Sequence, residues 1–158
     1  MAQLTVLGIG NILMRDEGVG VHLLPAVRDA RPWPADVEFI DGGAGGLNLL
    51  NVIEEASRMV VFDAADLRLP PGECRVISPE QVCADTAGRM TMHDMPFLET
   101  LQLCGQFSRR PAVVRILAIQ PKVVDHGRTL SDELTAAMPA LLRAAVELVE
   151  REVAECVR

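Results

Sequence analysis

Residues 4–21 read LTVLGIGNILMRDEGVGV, and this stretch is the clearest indication of the fold class. The apolar run Leu4–Leu7 is typical of a strand that is buried on both faces. Gly8 and Gly10 then allow a sharp turn, and Asp16 is a favourable N-cap for a following helix. A strand, a glycine turn and a helix in this order predict an α/β unit. In such a unit the ligand site lies beyond the carboxyl end of the strand.

The acidic pair Asp16 and Glu17 at the start of this helix has more than one interpretation. Both residues suit a helix N-terminus, where the dipole favours negative charge. A dinucleotide site is disfavoured, because Leu13 stands where a third glycine is needed and two acids would repel a pyrophosphate. A nucleotide-binding α/β module therefore remains only an alternative, and a carboxylate site beyond the strand is the other possibility.

Composition limits the class of protein. The 158 residues suit one domain, spanning residues 1–158, and a net charge of −7 argues against binding nucleic acid or an anionic membrane. No apolar run reaches the ~18 residues of a membrane span, and because the first residues lead directly into a predicted strand we expect no signal peptide. The four cysteines have no paired spacing, so we expect reduced thiols and a cytoplasmic protein.

The same arrangement of a strand followed by an acid recurs along the chain. A predicted strand over residues 37–40 ends in Asp41 and a glycine-rich loop, and a strand over residues 59–62 is followed by Asp63. In a parallel sheet these ends lie along the same edge as Glu17. Because neighbouring carboxylates repel and no lysine lies near them in sequence, a metal ion is the simplest missing charge.

His93 is the candidate nitrogen ligand for such a site. It is predicted to lie in the first turn of a helix, close to a loop, where a histidine next to two carboxylates would suit a metal. Beyond it, residues 113–119 are predicted to form the last strand. A long amphipathic helix over residues 130–157 is expected to begin at Ser131 or Asp132.

The chain resembles the nickel–iron hydrogenase maturation endopeptidases, which remove the C-terminal extension from the hydrogenase large-subunit precursor. The resemblance covers nearly the whole length. It rests on Gly8–Asn11 with Asp16–Gly20, on Asp41–Gly43, on Asp63-Ala64, on His93, and on Pro121 with Gly127 and Leu130-Ser131. The sequence departs mildly from the family at Thr91, where serine is common, and at Ala44, where threonine is common.

The resemblance implies an α/β fold with three layers, in which helices flank both faces of a twisted, mostly parallel five-stranded sheet. It also implies that Glu17, Asp63 and His93 bind nickel. The nickel is expected to arrive in the substrate, the hydrogenase large-subunit precursor, so that the resting enzyme is metal-free.

Familiar proteolytic motifs are absent from the sequence. There is no HExxH zinc motif and no GxSxG nucleophile elbow. A metal would therefore have to activate the scissile bond or a water molecule, with Glu17, Asp41 and Asp63 as the catalytic candidates. Asp41 is expected to hold the substrate backbone or to accept a proton. A nickel-binding chaperone that does not cut is the second alternative.

Overall fold

A computed structural model describes residues 2–84 and 95–158. Along the chain the strands and helices are β1 (Leu4–Gly8), α1 (Val19–Asp29), β2 (Val37–Asp41), α2 (Leu50–Glu55), β3 (Arg58–Ala64), β4 (Cys74–Ile77), α3 (Pro79–Cys83), α4 (Pro96–Phe107), β5 (Val113–Ile119) and α5 (Asp132–Cys156). Short 3-10 turns lie at Arg15–Gly18 and Leu47–Leu49. No helix in the described ranges is long and apolar enough to cross a membrane.

The strands form one sheet in the order β2-β1-β3-β5-β4. β2, β1, β3 and β5 are parallel, and β4 pairs with β5 in the antiparallel direction at one edge. The sheet predicted from the resemblance, with five mostly parallel strands, is confirmed.

Side chains alternate between two cores along the central strands. Met59 and Val61 of β3 face a core built with α2 and α4, whereas Val60 and Phe62 face a core built with α1 and α5. All four side chains are fully buried, which explains why β3 is continuously apolar instead of alternating with polar residues. The sheet therefore lies between two helical layers, and the three-layer prediction is confirmed.

Asp16 does not cap α1, so that prediction is wrong. The helix begins at Val19, with Gly18 at the N-cap position and no side-chain cap. Asp16 lies in the preceding 3-10 turn and is completely buried. Its carboxylate accepts hydrogen bonds from the backbone N–H groups of Lys122 (2.9 Å), Val123 (2.9 Å) and Ser131 (2.7 Å), and from the Ser131 hydroxyl (2.7 Å). Its four donors all come from the chain that follows β5.

The Ser131 hydroxyl forms two hydrogen bonds: it donates one to Asp16, and it accepts one that caps α5. The Ser131 oxygen accepts a hydrogen bond from the backbone N–H of Leu134 at 3.3 Å. This confirms that Ser131 begins the long helix. Through these contacts the turn before α1, the loop after β5 and the N-terminus of α5 are joined into one unit.

Candidate active site

The carboxyl ends of β2, β1 and β3 lie side by side. Gly8 at the end of β1 is in register with Asp41 of β2 on one side and with Phe62 of β3 on the other. Asp63 is therefore one position beyond the same row. Since neighbouring strands are about 4.8 Å apart, the backbone of Asp41 is about 10 Å from that of β3. The two acids share an edge of the sheet, and β1 runs between them.

Two glycines let the turn that carries Glu17 approach the end of β3. A Cβ atom on Gly20 would lie 2.1 Å from the carbonyl oxygen of Phe62, so only glycine allows α1 to contact β3 this closely. A Cβ atom on Gly10, which has φ +149°, would lie 2.0 Å from the carbonyl oxygen of Glu17. Gly10 and Gly20 thus allow Glu17 to lie next to the carboxyl end of β3.

Asp63 is the most strongly perturbed acid at this edge. Its residue surface is only 6% exposed, and this burial raises the pKa of its carboxyl group to about 8. A hydrogen bond from the Ala64 N–H acts in the opposite direction, and the nearby Glu17 carboxylate raises the pKa further. Asp63 is therefore mostly protonated at pH 7. Glu17 is half-buried and close enough for the two charges to interact.

No positive side chain compensates this pair in the part of the chain that the structure describes. Over residues 2–84 and 95–158, neither Glu17 nor Asp63 forms a salt bridge with lysine or arginine. In the same ranges no three His, Cys, Asp or Glu side chains form a group able to hold a metal ion. The carboxylate pair would need at least one more ligand to bind a cation firmly.

Asp41 is placed differently from Glu17 and Asp63. It is exposed, and its Oδ1 atom accepts a hydrogen bond from the Gly43 N–H at 2.8 Å. This contact closes an Asx turn that shapes the glycine-rich loop after β2. Asp41 therefore lies at the rim of the site, with β1 between it and the buried Asp63.

His93 and Thr91 lie outside the described residues, so the approach of His93 to the two carboxylates stays a prediction. The other histidines lie elsewhere: His22 is half-buried in α1, and His126 is exposed in the loop after β5.

The loop after β5 is the part of the site that the sequence did not reveal. Besides the bonds to the Asp16 carboxylate, the Gly127 N–H donates to the Leu13 carbonyl at 2.9 Å. The Arg15 N–H donates to the Gly127 carbonyl at 3.0 Å, and the Asp16 N–H donates to the Val123 carbonyl at 3.0 Å. These main-chain contacts fix the turn that carries Glu17. The partners are more than 100 residues apart in sequence, and no local pattern indicates such a pairing.

Asp63 is expected to make the fold less stable as the pH rises. Its pKa is about 8 in the folded protein and about 3.9 in an unfolded chain, so between these values only the folded state holds the proton. Stability is therefore lost from about pH 4 to about pH 8, by up to roughly 6 kcal/mol at about 1.4 kcal/mol per pKa unit. Asp63→Asn removes this loss.

Urea unfolding at pH 4 and pH 9 checks this expectation. Asp63→Asn should be clearly more stable than the wild type at pH 9 and close to it at pH 4. Asp125→Asn, which alters an exposed acid in the loop after β5, is the control and should change little at either pH. An equal effect of Asp63→Asn at both values would contradict the raised pKa.

Known proteins are similar to this chain over most of its length. A family model described as HycI, hydrogenase maturation protease, matches residues 21–148. The hydrogenase expression/formation protein HoxM of Cupriavidus necator is 34% identical over 147 residues, which cover 92% of this chain and 73% of HoxM. The hydrogenase 2 maturation protease of Escherichia coli is 28% identical over 162 residues, covering 95% and 97% of the two chains.

The fold has close counterparts among solved structures. The hydrogenase maturating endopeptidase HybD from Escherichia coli superposes with a TM-score of 0.80 and 24% identity, covering 96% of this chain and 94% of that one. At this identity the match supports the fold alone. The family model and the HoxM similarity carry the assignment, which confirms the resemblance seen in the sequence. The chain belongs to the hydrogenase maturation protease family and is a peptidase.

Proposed function

We propose that this peptidase removes the C-terminal extension of a nickel–iron hydrogenase large-subunit precursor after nickel insertion. In this proposal nickel is part of the substrate, and Glu17, Asp63 and His93 recognise it. The single observation that carries the proposal is the buried Asp63 carboxyl group beside Glu17, at the edge of the sheet, with no basic partner in the described chain.

Glu17 and Asp63 together suit the binding of a cation. Two neighbouring carboxylates repel each other when both are ionised, and a bound divalent ion reverses that interaction. Cation binding would displace the proton from Asp63, because a carboxylate must be deprotonated to act as a ligand. A nickel ion in a precursor arrives with protein ligands of its own. The enzyme then has to supply only the remaining ones, and it needs no resident metal.

The placement of α4 supports His93 as the nitrogen ligand. Asp63 follows Met59 and Val61 in the alternation of β3 and so belongs to the face covered by α2 and α4. α4 ends before the strand β5 begins, so its first residue, Pro96, is at the carboxyl edge of the sheet. His93 shortly precedes Pro96 in the sequence. Imidazole together with carboxylates suits a borderline divalent ion such as nickel.

The proposed chemistry divides the work between substrate and enzyme. Nickel can polarise a carbonyl group and lower the pKa of a bound water molecule. Glu17 and Asp63 hold the metal in place, and Asp63 releases its proton as the metal binds. Asp41 is proposed to hold the substrate backbone or to accept a proton. Its Oδ2 atom forms no hydrogen bond within the described residues, whereas Oδ1 is engaged by Gly43.

Mass measurement of the precursor after incubation tests the proposal. The wild-type enzyme should shorten the nickel-loaded large-subunit precursor at its C-terminus and leave the nickel-free precursor intact. His93→Ala should abolish this cleavage and keep the fold, because loss of a metal ligand removes recognition and not core packing.

The matched controls are His126→Ala and His22→Ala, which should both retain activity. Near wild-type cleavage by folded His93→Ala would contradict the role of the histidine. Cleavage of the nickel-free precursor at an equal rate would contradict recognition of the metal. Binding of nickel without any cleavage would favour a chaperone instead.

A further inference from the structure

Four large apolar side chains are exposed around the candidate site. We call this set the apolar rim; it consists of Ile12 (45% exposed), Leu13 (51%), Leu47 (65%) and Val124 (48%). Ile12 and Leu13 follow β1, Leu47 follows β2, and Val124 follows β5. All four therefore belong to loops or turns at the carboxyl edge of the sheet, where Glu17 and Asp63 lie.

The backbone that carries the rim is held by hydrogen bonds between the loops. The Gly10 N–H donates to the Gly43 carbonyl at 2.8 Å, and this bond joins the loops after β1 and β2. The Gly127 N–H donates to the Leu13 carbonyl at 2.9 Å, which joins the loops after β1 and β5. A Cβ on Gly18 would lie 2.8 Å from the Ile12 Cα, so this loop also contacts the turn that carries Glu17.

The concentration of apolar side chains at this edge distinguishes it from the rest of the described surface. The other large hydrophobic residues exposed in residues 2–84 and 95–158 are Val76 on β4, Phe107 at the end of α4 and Val157 after α5. Single exposed hydrophobic residues are ordinary, whereas a group on adjoining loops marks an interaction surface.

We propose that the apolar rim is the docking surface for the hydrogenase large-subunit precursor, through an apolar segment of that protein. This inference rests on the proposed function. Asp63 is almost buried and Glu17 is half-buried, so a protein that presents a metal to them must come into contact with the surrounding loops. The rim is therefore continuous with the place where the substrate has to bind.

The apolar rim and the two carboxylates contribute differently to substrate binding. The rim supplies affinity by burying apolar surface, and this contribution does not depend on the metal. The acids at the centre discriminate between loaded and unloaded substrate, because an unmetallated precursor brings no cation to them. The rim should consequently contribute equally to the affinity for nickel-loaded and nickel-free precursor.

Replacing rim residues by serine tests the proposal. Leu13→Ser and Leu47→Ser should each raise KM for the nickel-loaded precursor about tenfold, and the double variant about 100-fold, with little change in kcat. The Kd for nickel-free precursor should increase by the same factors. Phe107→Ser is the control: this side chain is 80% exposed but lies where α4 ends, near the opposite edge of the sheet.

The outcomes separate this inference from the proposed function. If the wild type cleaves the nickel-loaded precursor and the double rim variant keeps KM and Kd within about twofold, the docking surface is wrong and the protease proposal stands. If the wild type does not cleave it, the proposed function fails, and Kd for the precursor still tests the rim. An equal loss in Phe107→Ser would overturn a localised surface. Dimerisation that only the rim variants abolish would make the rim an interface between two copies.

Discussion

Glu17→Gln and Asp63→Asn are each expected to reduce processing of the nickel-loaded precursor by about 100-fold or more. Changes in groups that merely support a metal ligand already cost 10- to 100-fold, and these two residues are proposed to contact the metal itself. Amide side chains keep nearly the same shape but lose the negative charge and most of their affinity for a cation. The rate is measured from the mass of the precursor over time.

Asp125→Asn is the matched control for this experiment, since Asp125 is an exposed acid in a loop at the same edge of the sheet. It should process the precursor at close to the wild-type rate. Thermal unfolding at the assay pH must show that Glu17→Gln and Asp63→Asn are folded. Folded variants with more than about half of the wild-type rate would rule out the carboxylate pair as the metal-recognition site.

Asp16→Asn is expected to cause a large loss of stability although it preserves the size of the side chain. Its carboxylate accepts four hydrogen bonds while fully buried, and an asparagine has only one oxygen to offer those donors. Buried donors left without an acceptor cost about 1–3 kcal/mol each. We expect a loss of about 3 kcal/mol, which lowers Tm by about 6–12 °C in a domain of this size.

The stabilisation by the Asp16 carboxylate should decrease at acidic pH. Burial alone raises the pKa of the Asp16 carboxyl group, but the hydrogen bonds from Ser131, Val123 and Lys122 together outweigh it and bring the pKa below its ordinary value. The stabilisation is therefore present above about pH 4, and it is lost as the pH falls through the folded-state pKa. The gap between wild type and Asp16→Asn should narrow in acid.

Urea unfolding at pH 7 and pH 3 measures both parts of the expectation. Asp132→Asn is the control, because Asp132 is an exposed acid in the first turn of α5 and adjoins Ser131 in sequence. It should change stability by less than about 0.5 kcal/mol. A comparably small effect of Asp16→Asn at pH 7 would show that its hydrogen bonds do not hold the loop after β5.

The sequence was sufficient to predict the strands and the edge at which the acids lie. The apolar runs that become β1 and β3 are buried on both faces, and the position of Asp63 near the carboxyl end of β3 follows from local order alone. Because parallel strands must end at a common edge, Glu17, Asp41 and Asp63 could be assigned to one side of the sheet before any coordinates.

The role of Asp16 could not be predicted in this way. An acidic residue before a helix is a typical N-cap. The local sequence does not distinguish an N-cap from an acid that accepts hydrogen bonds from residues distant in sequence. The donors of Asp16 come from residues 122–131, so only the tertiary structure reveals them. The same holds for the raised pKa of Asp63 and for the apolar rim, which depend on burial and on how separate loops meet.

Recognition of substrate-borne nickel by Glu17 can be measured in a set of four binding experiments. Kd is determined by calorimetry for nickel-loaded and nickel-free large-subunit precursor, each with the wild type and with Glu17→Gln. We expect the wild type to bind the loaded precursor at least about tenfold more tightly and Glu17→Gln to lose this preference, with equal Kd values for both precursors. An unchanged preference for the loaded precursor in Glu17→Gln would rule out recognition of nickel by Glu17.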